Sequence, residues 1–180
     1  NLKYHLELST RPENGSIGSD KDWERAEKAL RSALEKRKTK YKLNPGDGAF
    51  YGPKIDFHIE DAIGRTWQTG TIQLDFAMPE RFNLEYIGEN GKQERPVMIH
   101  RVIFGSIERF IGILTEHFAG AFPIWLAPIQ AIVLPISDKH IEYAKKIFEE
   151  LQTAGIRIEF DQRNETIGRK IRESEIQKIP

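Results

Sequence analysis

The stretch 96-PVMIHRVIFGSIERF-110 predicts an apolar strand that runs directly into an apolar helix. Gly105 permits a tight corner between the two, and Ser106 is a residue type that caps helix N-termini. Arg109 then lies one turn into the helix, where a fixed guanidinium fork suits a phosphate or a stacked purine. On spacing alone two plainer interpretations stay open: Arg109 can be an ordinary helix-surface residue, and His100 a packed strand residue.

The composition is that of an ordinary globular chain. Its 180 residues are 39% hydrophobic, enough for one large or two small domains. Lys plus Arg and Asp plus Glu are both 27, so no global field draws the chain to nucleic acid, and any RNA contact needs a local patch. The absence of cysteine excludes disulfides and Cys-rich zinc modules. No apolar run predicts a membrane span or a signal peptide, and we interpret the sequence as part of a longer protein.

The first part of the chain, residues 1–126, predicts an α+β fold with a largely antiparallel sheet. Ser19 and Asp22 have the spacing of a capping box and predict the start of an amphipathic helix. The Asn90-Gly91 step predicts a hairpin, and the apolar helix that contains Arg109 comes last. The predicted strands cover residues 2–8, 41–43, 54–60, 65–76, 82–87 and 93–102.

The character of the sequence changes after Leu126, between Pro123 and Pro128, and we predict a domain boundary there. Residues 127–180 have a βαβα pattern, typical of an α/β domain with a parallel sheet. The predicted strands cover residues 130–136 and 156–160, and the predicted helices begin after Ser137 and at Thr166.

Four short sequence segments together identify a family. The segment GSIERF at 105–110 resembles motif 3 of the class II aminoacyl-tRNA synthetases, whose Glu-Arg step supplies an ATP-binding arginine. GAFYGPKI at 48–55, WQTGTIQLDF at 67–76 and VMIHR at 97–101 resemble the threonyl-tRNA synthetase family, most closely in its bacterial form. The resemblance runs in order through the whole chain. It implies part of a class II catalytic domain over 1–126, followed by the start of an anticodon-binding domain.

The resemblance also implies an activity and its partners. The parent would be a cytoplasmic homodimer, with no membrane association, that activates threonine with ATP and Mg²⁺ and transfers it to tRNA(Thr). A non-catalytic module that binds RNA or protein is the alternative, because motif 2 of the family is not in this sequence. A prolyl relative is disfavoured by the VMIH word at 97–100.

The family pattern assigns roles to individual side chains of the first domain. Arg109 and Gln68 would act on ATP and Lys54 would assist catalysis, while the amino-acid side of the pocket would be formed by Tyr51, Gln73 and Ser106. Without the resemblance, Tyr51 could be packed in a turn and Lys54 solvated.

The two glutamines pose a geometric problem. Gln68 and Gln73 are five residues apart, so they face opposite sides of a regular strand. Both can face one pocket only if Gly70 marks a β-bulge. Without the resemblance, one glutamine could be exposed and the other bonded to backbone.

A zinc ion is implied by the resemblance alone. His100 would be one of three Zn²⁺ ligands, with a Cys and a second His before residue 1, so this segment alone should not hold zinc tightly. We do not expect the other four histidines to be ligands; they are His5, His58, His117 and His140. Glu60 and Asp61, beside His58, are interpreted as a solvated strand end.

In the second domain, Arg163 and Asn164 begin the turn before the last helix. Such a pair is often only a turn. The resemblance places this region near the tRNA anticodon, whose unpaired bases suit Asn and Arg side chains. Asn164 is the first candidate, followed by Arg163 and Arg172.

Overall fold

A five-stranded sheet organises the first part of the chain in the computed structural model, which describes residues 2–180. The strands of this part are β1 (Tyr4–Ser9), β2 (Lys42–Asn44), β3 (Lys54–Glu60), β4 (Thr66–Asp75), β5 (Tyr86–Ile87), β6 (Gln93–Glu94) and β7 (Met98–Val102). The helices are α1 (Asp20–Lys36), α2 (Ala77–Arg81) and α3 (Ile107–Phe118). The strand order is β2-β1-β3-β4-β7, with only β1 and β2 parallel, which confirms the predicted, largely antiparallel sheet.

One face of this sheet is apolar and packs against α1. Leu6, Leu8 and Ile55 form a buried cluster with helix residues such as Leu30 and Leu34. Each such side chain contributes roughly 1.5–3 kcal/mol when it is fully buried. The predicted capping box between Ser19 and Asp22 is present and starts the helix. Because side chains alternate along a strand, the residues between these apolar positions face the opposite side of the sheet.

The predicted β-bulge is present. Phe57 pairs with Gly70, and His58 pairs with Gln68, so that Thr69 is left between the two pairs. A Cβ on Gly70 would lie 3.0 Å from the carbonyl oxygen of Ile103, which favours glycine at this tight point. The extra residue turns Gln68 onto the same face of the sheet as Gln73.

Residues 77–102 differ from the sequence prediction in two places, a helix for which no prediction was made and two strands that are shorter than predicted. Residues 77–81 form α2, because the Asp75 carboxylate accepts the N–H groups of Ala77 and Met78 and so caps the helix. The predicted strands 82–87 and 93–102 shorten to β5, β6 and β7. Pro96 has no N–H to donate to a strand ladder, and β7 begins only at Met98.

The interpretation of Asp61 as part of a solvated strand end is also wrong. Asp61 is buried, and its carboxylate accepts N–H groups from Ile63, Arg65 and the Trp67 indole. Burial raises the pKa of Asp61, but the hydrogen bonds from Trp67 and Arg65 outweigh it and hold the pKa well below its ordinary value. Asp61 therefore closes the turn between β3 and β4.

The structure divides into two units, residues up to Ile113 and Leu114–Pro180. The second unit contains β8 (Ala131–Val133), a short 3₁₀ turn (Asp138–His140), α4 (Ile141–Thr153), β9 (Ile158–Phe160) and α5 (Ile167–Ile176). β8 and β9 are parallel, which confirms the βαβα order. No helix within residues 2–180 is both long and apolar enough to cross a bilayer. The predicted domain boundary after Leu126 stays a prediction.

Two local predictions in the second unit need correction. The strand predicted over 130–136 ends at Val133, two residues before Pro135, which cannot donate to a ladder. Ser137 does not cap α4, because its hydroxyl bonds to Nδ1 of His140 and the 3₁₀ turn comes first. Thr166 caps α5 by accepting the N–H of Arg169.

Candidate active site

Four of the residues singled out in the sequence lie together on the polar face of the sheet. Lys54 on β3 is directly opposite Gln73 on β4, and Gln73 is directly opposite His100 on β7. The Tyr51 hydroxyl donates to Oε1 of Gln73 over 3.0 Å, and its ring lies edge-on to that of His100. The face therefore presents a row of polar groups across three strands.

A buried carboxylate that sequence reasoning missed joins this row to Gln68. Asp56 is 1% exposed, and its Oδ2 lies 2.8 Å from Nζ of Lys54 and 3.0 Å from the Ser9 hydroxyl. Its Oδ1 accepts a hydrogen bond from Nε2 of Gln68 at 2.5 Å and another from the Thr71 hydroxyl at 2.9 Å. The available signal was the alternation of β3, which places Asp56 on the same face as Lys54.

Lys54 is held as a cation between two carboxylates. Its side chain is 13% exposed, and Nζ also lies 3.2 Å from Oδ2 of Asp47. Burial lowers the pKa of Lys54, but the hydrogen bond and charge of Asp56, and then those of Asp47, outweigh it and raise the pKa above its ordinary value. Lys54 is therefore protonated at neutral pH, with one of its three N–H donors left for a ligand.

His100 is oriented by Asp75. Its Nε2 lies 2.8 Å from Oδ2 of Asp75, whose Oδ1 is already fixed by the start of α2. Burial alone raises the pKa of Asp75, but the hydrogen bond from His100 and those from Met78 and Ala77 outweigh it and lower the pKa. A carboxylate on one ring nitrogen is the usual support of a metal-binding imidazole, and it leaves Nδ1 for a ligand bond.

The residues described by the structure do not form a complete metal site. No three His, Cys, Asp or Glu side chains within 2–180 are grouped so as to hold an ion. His5 and His58 stack on each other with ring centroids 5.0 Å apart, and both face the carboxylate of Glu7. Among the described residues, His100 therefore lacks the further ligands that a complete metal site needs.

The strand-to-helix corner has the predicted geometry. Gly105 has φ of +66°, and a Cβ there would lie 2.7 Å from the carbonyl oxygen of Thr69, so that glycine is required. The Ser106 hydroxyl accepts the N–H of Arg109 at 3.4 Å and donates to Glu108 at 2.7 Å. Ser106 therefore acts on the helix start and on Glu108.

Arg109 lies over an aromatic ring rather than in the Asp56 network. Its guanidinium carbon is 5.5 Å from the ring centroid of Trp67. The Trp67 indole N–H donates to Asp61 over 2.9 Å, which fixes the ring. Sequence reasoning missed Trp67 as a support for Arg109, because nothing in the chain order brings the two side chains together.

In the second unit, the three candidate RNA contacts differ in whether their side chains are already bonded to other residues. Arg163 is bound to Asp161 at 2.7 Å and to Glu173 at 2.7 Å, and its guanidinium holds the pKa of Asp161 at about 2. Asn164 and Arg172 are exposed, and neither side chain has a hydrogen bond to any residue in 2–180. Asn164 and Arg172 therefore have polar groups available for a ligand.

Comparisons with known proteins assign both parts of the chain. The family model of the tRNA synthetase class II core domain (G, H, P, S and T) matches residues 3–118, and that of the anticodon binding domain matches residues 130–180. The threonine–tRNA ligase of Caldanaerobacter subterraneus subsp. tengcongensis is 69% identical over 99% of this chain, and that of Desulforamulus reducens is 69% identical over the same share. The chain spans 28% of the length of each of these relatives.

A solved structure gives the same result. The RNA binding domain of threonyl-tRNA synthetase from Cryptosporidium parvum superposes with a TM-score of 0.91 at 49% identity. The superposition covers 99% of this chain and 45% of that one. The resemblance of the four sequence segments to the threonyl-tRNA synthetase family is thereby confirmed.

Proposed function

This chain belongs to the class II aminoacyl-tRNA synthetase family, and we propose that the protein containing it activates threonine with ATP and transfers the threonyl group to tRNA(Thr). One observation carries the proposal: Lys54, Gln73 and His100 lie in register on the polar face of an antiparallel sheet, with Gln68 tied to them through Asp56. This face lies within the part of the chain that the core-domain model matches. We further propose a cytoplasmic homodimer that uses ATP with Mg²⁺, and a domain boundary after Leu126.

The proposed chemistry is one of positioning and charge. The threonine carboxylate attacks the α-phosphate of ATP, and pyrophosphate leaves. Such a step is accelerated by holding the reacting groups in line and by donors fixed before the reaction. Lys54 would supply one fixed N–H, Arg109 would bind the phosphates or stack on adenine, and Tyr51 with Gln73 would orient the amino acid.

His100 is proposed as one zinc ligand, through Nδ1. A bound Zn²⁺ would act as a Lewis acid with a position open to the amino and hydroxyl groups of threonine. The role of this chain is to hold the imidazole: Asp75 fixes Nε2 over 2.8 Å, so that Nδ1 carries the lone pair.

The experiment that tests this function is threonine-dependent exchange of pyrophosphate into ATP, measured with the full-length protein. We expect exchange with threonine and at least tenfold less with valine or serine, followed by charging of tRNA(Thr). Binding of tRNA without exchange would contradict the proposal and would support a non-catalytic RNA-binding module.

For the second domain we propose that Asn164 and Arg172 contact the anticodon, and that Arg163 supports the turn that carries Asn164. This assignment is supported by the bonding of the three side chains. The Arg163 guanidinium is paired with two carboxylates, while Asn164 and Arg172 are exposed. The match of residues 130–180 to the anticodon-binding family also supports this assignment.

Asn164→Ala in the full-length ligase should weaken tRNA charging and leave amino-acid activation unchanged. Loss of one base-edge contact costs about 1–3 kcal/mol, seen here as a raised KM for tRNA(Thr). The measurement is aminoacylation kinetics beside tRNA-independent pyrophosphate exchange.

Arg163→Ala is the matched control for this prediction. It should lower the melting temperature, because it leaves Asp161 and Glu173 without their shared cation. The Asn164→Ala loss should shrink on a tRNA with an altered anticodon base, since the contact is already absent there. Equal losses on both tRNAs would contradict base recognition by Asn164.

A further inference from the structure

The amide of Gln68 is held in one orientation. Its Nε2 lies 2.5 Å from Oδ1 of Asp56 and 3.1 Å from the Thr71 hydroxyl oxygen. The Thr71 hydroxyl gives its only proton to Asp56, so it can accept from Gln68. An amide nitrogen has two N–H groups, and both are used. Oε1 is therefore the only polar atom of Gln68 left for a ligand.

The Asp56 carboxylate excludes the opposite orientation of the Gln68 amide. Within residues 2–180, every polar side chain bonded to this carboxylate is a donor: the Lys54 ammonium, the Ser9 and Thr71 hydroxyls, and the Gln68 amide. The carboxylate accepts from all of them, so the opposite amide orientation would place Oε1 of Gln68 against another acceptor. Because Asp56 is 1% exposed and braced from β1, β3 and β4, it cannot turn to relieve that contact.

Gln73 has the opposite polarity. Its Oε1 accepts the Tyr51 hydroxyl proton over 3.0 Å, so that its Nε2 is left to donate. The two glutamines on this face thus offer a ligand different groups: Gln68 offers an acceptor, and Gln73 offers donors. A phosphate oxygen can only accept at neutral pH, so it cannot bond to Oε1 of Gln68.

We propose that Asp56 is a positioning residue, and that through it Gln68 accepts a hydrogen bond from a substrate donor rather than donating one to phosphate. The proposal rests on the function proposed above. The donor is a ribose hydroxyl of ATP or the ammonium or hydroxyl group of threonine, which share the chemistry that Oε1 requires.

A charge-conserving exchange of the two side chains tests this polarity. Gln68→Glu alone sets two carboxylates against each other and should reduce kcat/KM for exchange by more than a hundredfold. Adding Asp56→Asn supplies an amide to the buried position, while the new carboxylate at 68 still offers an outward acceptor. The kcat/KM of the double variant should be at least tenfold higher than that of Gln68→Glu alone. If Gln68 instead donated to phosphate, the added negative charge would prevent any recovery.

Substrate analogues identify the donor. Gln68→Ala, at an exposed position that should not impair folding, is expected to lower kcat/KM about tenfold to hundredfold with ATP, the range for an unpaired polar group. The penalty should disappear with 2′-deoxy-ATP or 3′-deoxy-ATP if a ribose hydroxyl is the donor. It should appear as a raised KM for threonine if the amino acid is the donor. A penalty that persists with both analogues and leaves the threonine KM unchanged would overturn the proposal.

Glu7→Gln is the matched control: Glu7 pairs in register with Asp56 through the backbone, but within residues 2–180 its side chain bonds to His5, His58 and Asn44 and not to Asp56. It should change kcat/KM less than threefold. Wild-type protein that lacks threonine-dependent exchange would contradict the proposed function. If the wild-type protein catalyses exchange, but the folded double variant does not regain kcat/KM over Gln68→Glu, only the roles of Asp56 and Gln68 are overturned.

Discussion

Arg109→Lys in the full-length protein is expected to be nearly as damaging as Arg109→Ala, raising the apparent activation free energy of pyrophosphate exchange by about 2–4 kcal/mol. Lysine keeps the charge but loses the planar fork that binds phosphate or stacks on a purine. It also loses the flat surface that lies over Trp67, at 5.5 Å from the ring centroid. The measurement is kcat/KM for exchange, with ATP varied at saturating threonine.

Arg65→Lys is the matched control for Arg109. The Arg65 guanidinium carbon lies 5.4 Å from the same ring centroid, but its side chain bonds to Asp61 in the turn between β3 and β4. This variant should lower the melting temperature and change exchange only a few-fold. Near-normal exchange in Arg109→Lys would mean that Arg109 supplies bulk charge alone, or nothing.

His100→Ala should remove most of the bound zinc and sharply reduce threonine activation, while ATP affinity changes less. The reason is that only the amino acid is proposed to bind at the metal. Asp75→Asn should have a weaker form of the same effect, with zinc affinity lowered about 10–100-fold, the usual range for the partner of a metal-binding imidazole. Metal analysis of the purified full-length protein and calorimetry with ATP measure the two effects separately.

His58→Ala is the control for the zinc prediction, because His58 stacks on His5 and faces Glu7 rather than Asp75. It should keep the wild-type zinc content. Full zinc occupancy in His100→Ala would remove His100 from the ligand set, whatever happens to activity. A loss of ATP affinity as large as the loss of threonine activation would indicate general disruption of the site.

Local patterns determined a large part of the fold and of the site. Alternation along β4 predicted that Gln68 and Gln73 share a face only if Gly70 marks a bulge, because the side-chain period of a strand is two and does not depend on what packs nearby. The Gly105-Ser106 corner before Arg109 was predictable for a similar reason: positive φ and helix capping are requirements of a few consecutive residues.

Strand boundaries were less predictable. The run 93–102 looks continuous in sequence, yet it divides at Pro96 into β6, which pairs with β5 in the hairpin, and β7. α2 was missed because its cap is the side chain of Asp75, a residue that sequence assigns to the preceding strand. Whether a carboxylate at a strand end caps a helix depends on where the chain turns, which neither alternation nor composition specifies.

The sequence by itself determined the family, the antiparallel sheet and the residue types of the site, since each depends on short-range periodicity or on a recognisable run of residues. Only the tertiary structure decided which side chains meet. The bulge at Gly70 turns Gln68 toward Asp56, and Glu173, ten residues from Arg163, occupies that guanidinium. Such pairings depend on cross-strand register and on helix placement. These are set by burial of the whole apolar face, so no local window of sequence contains them.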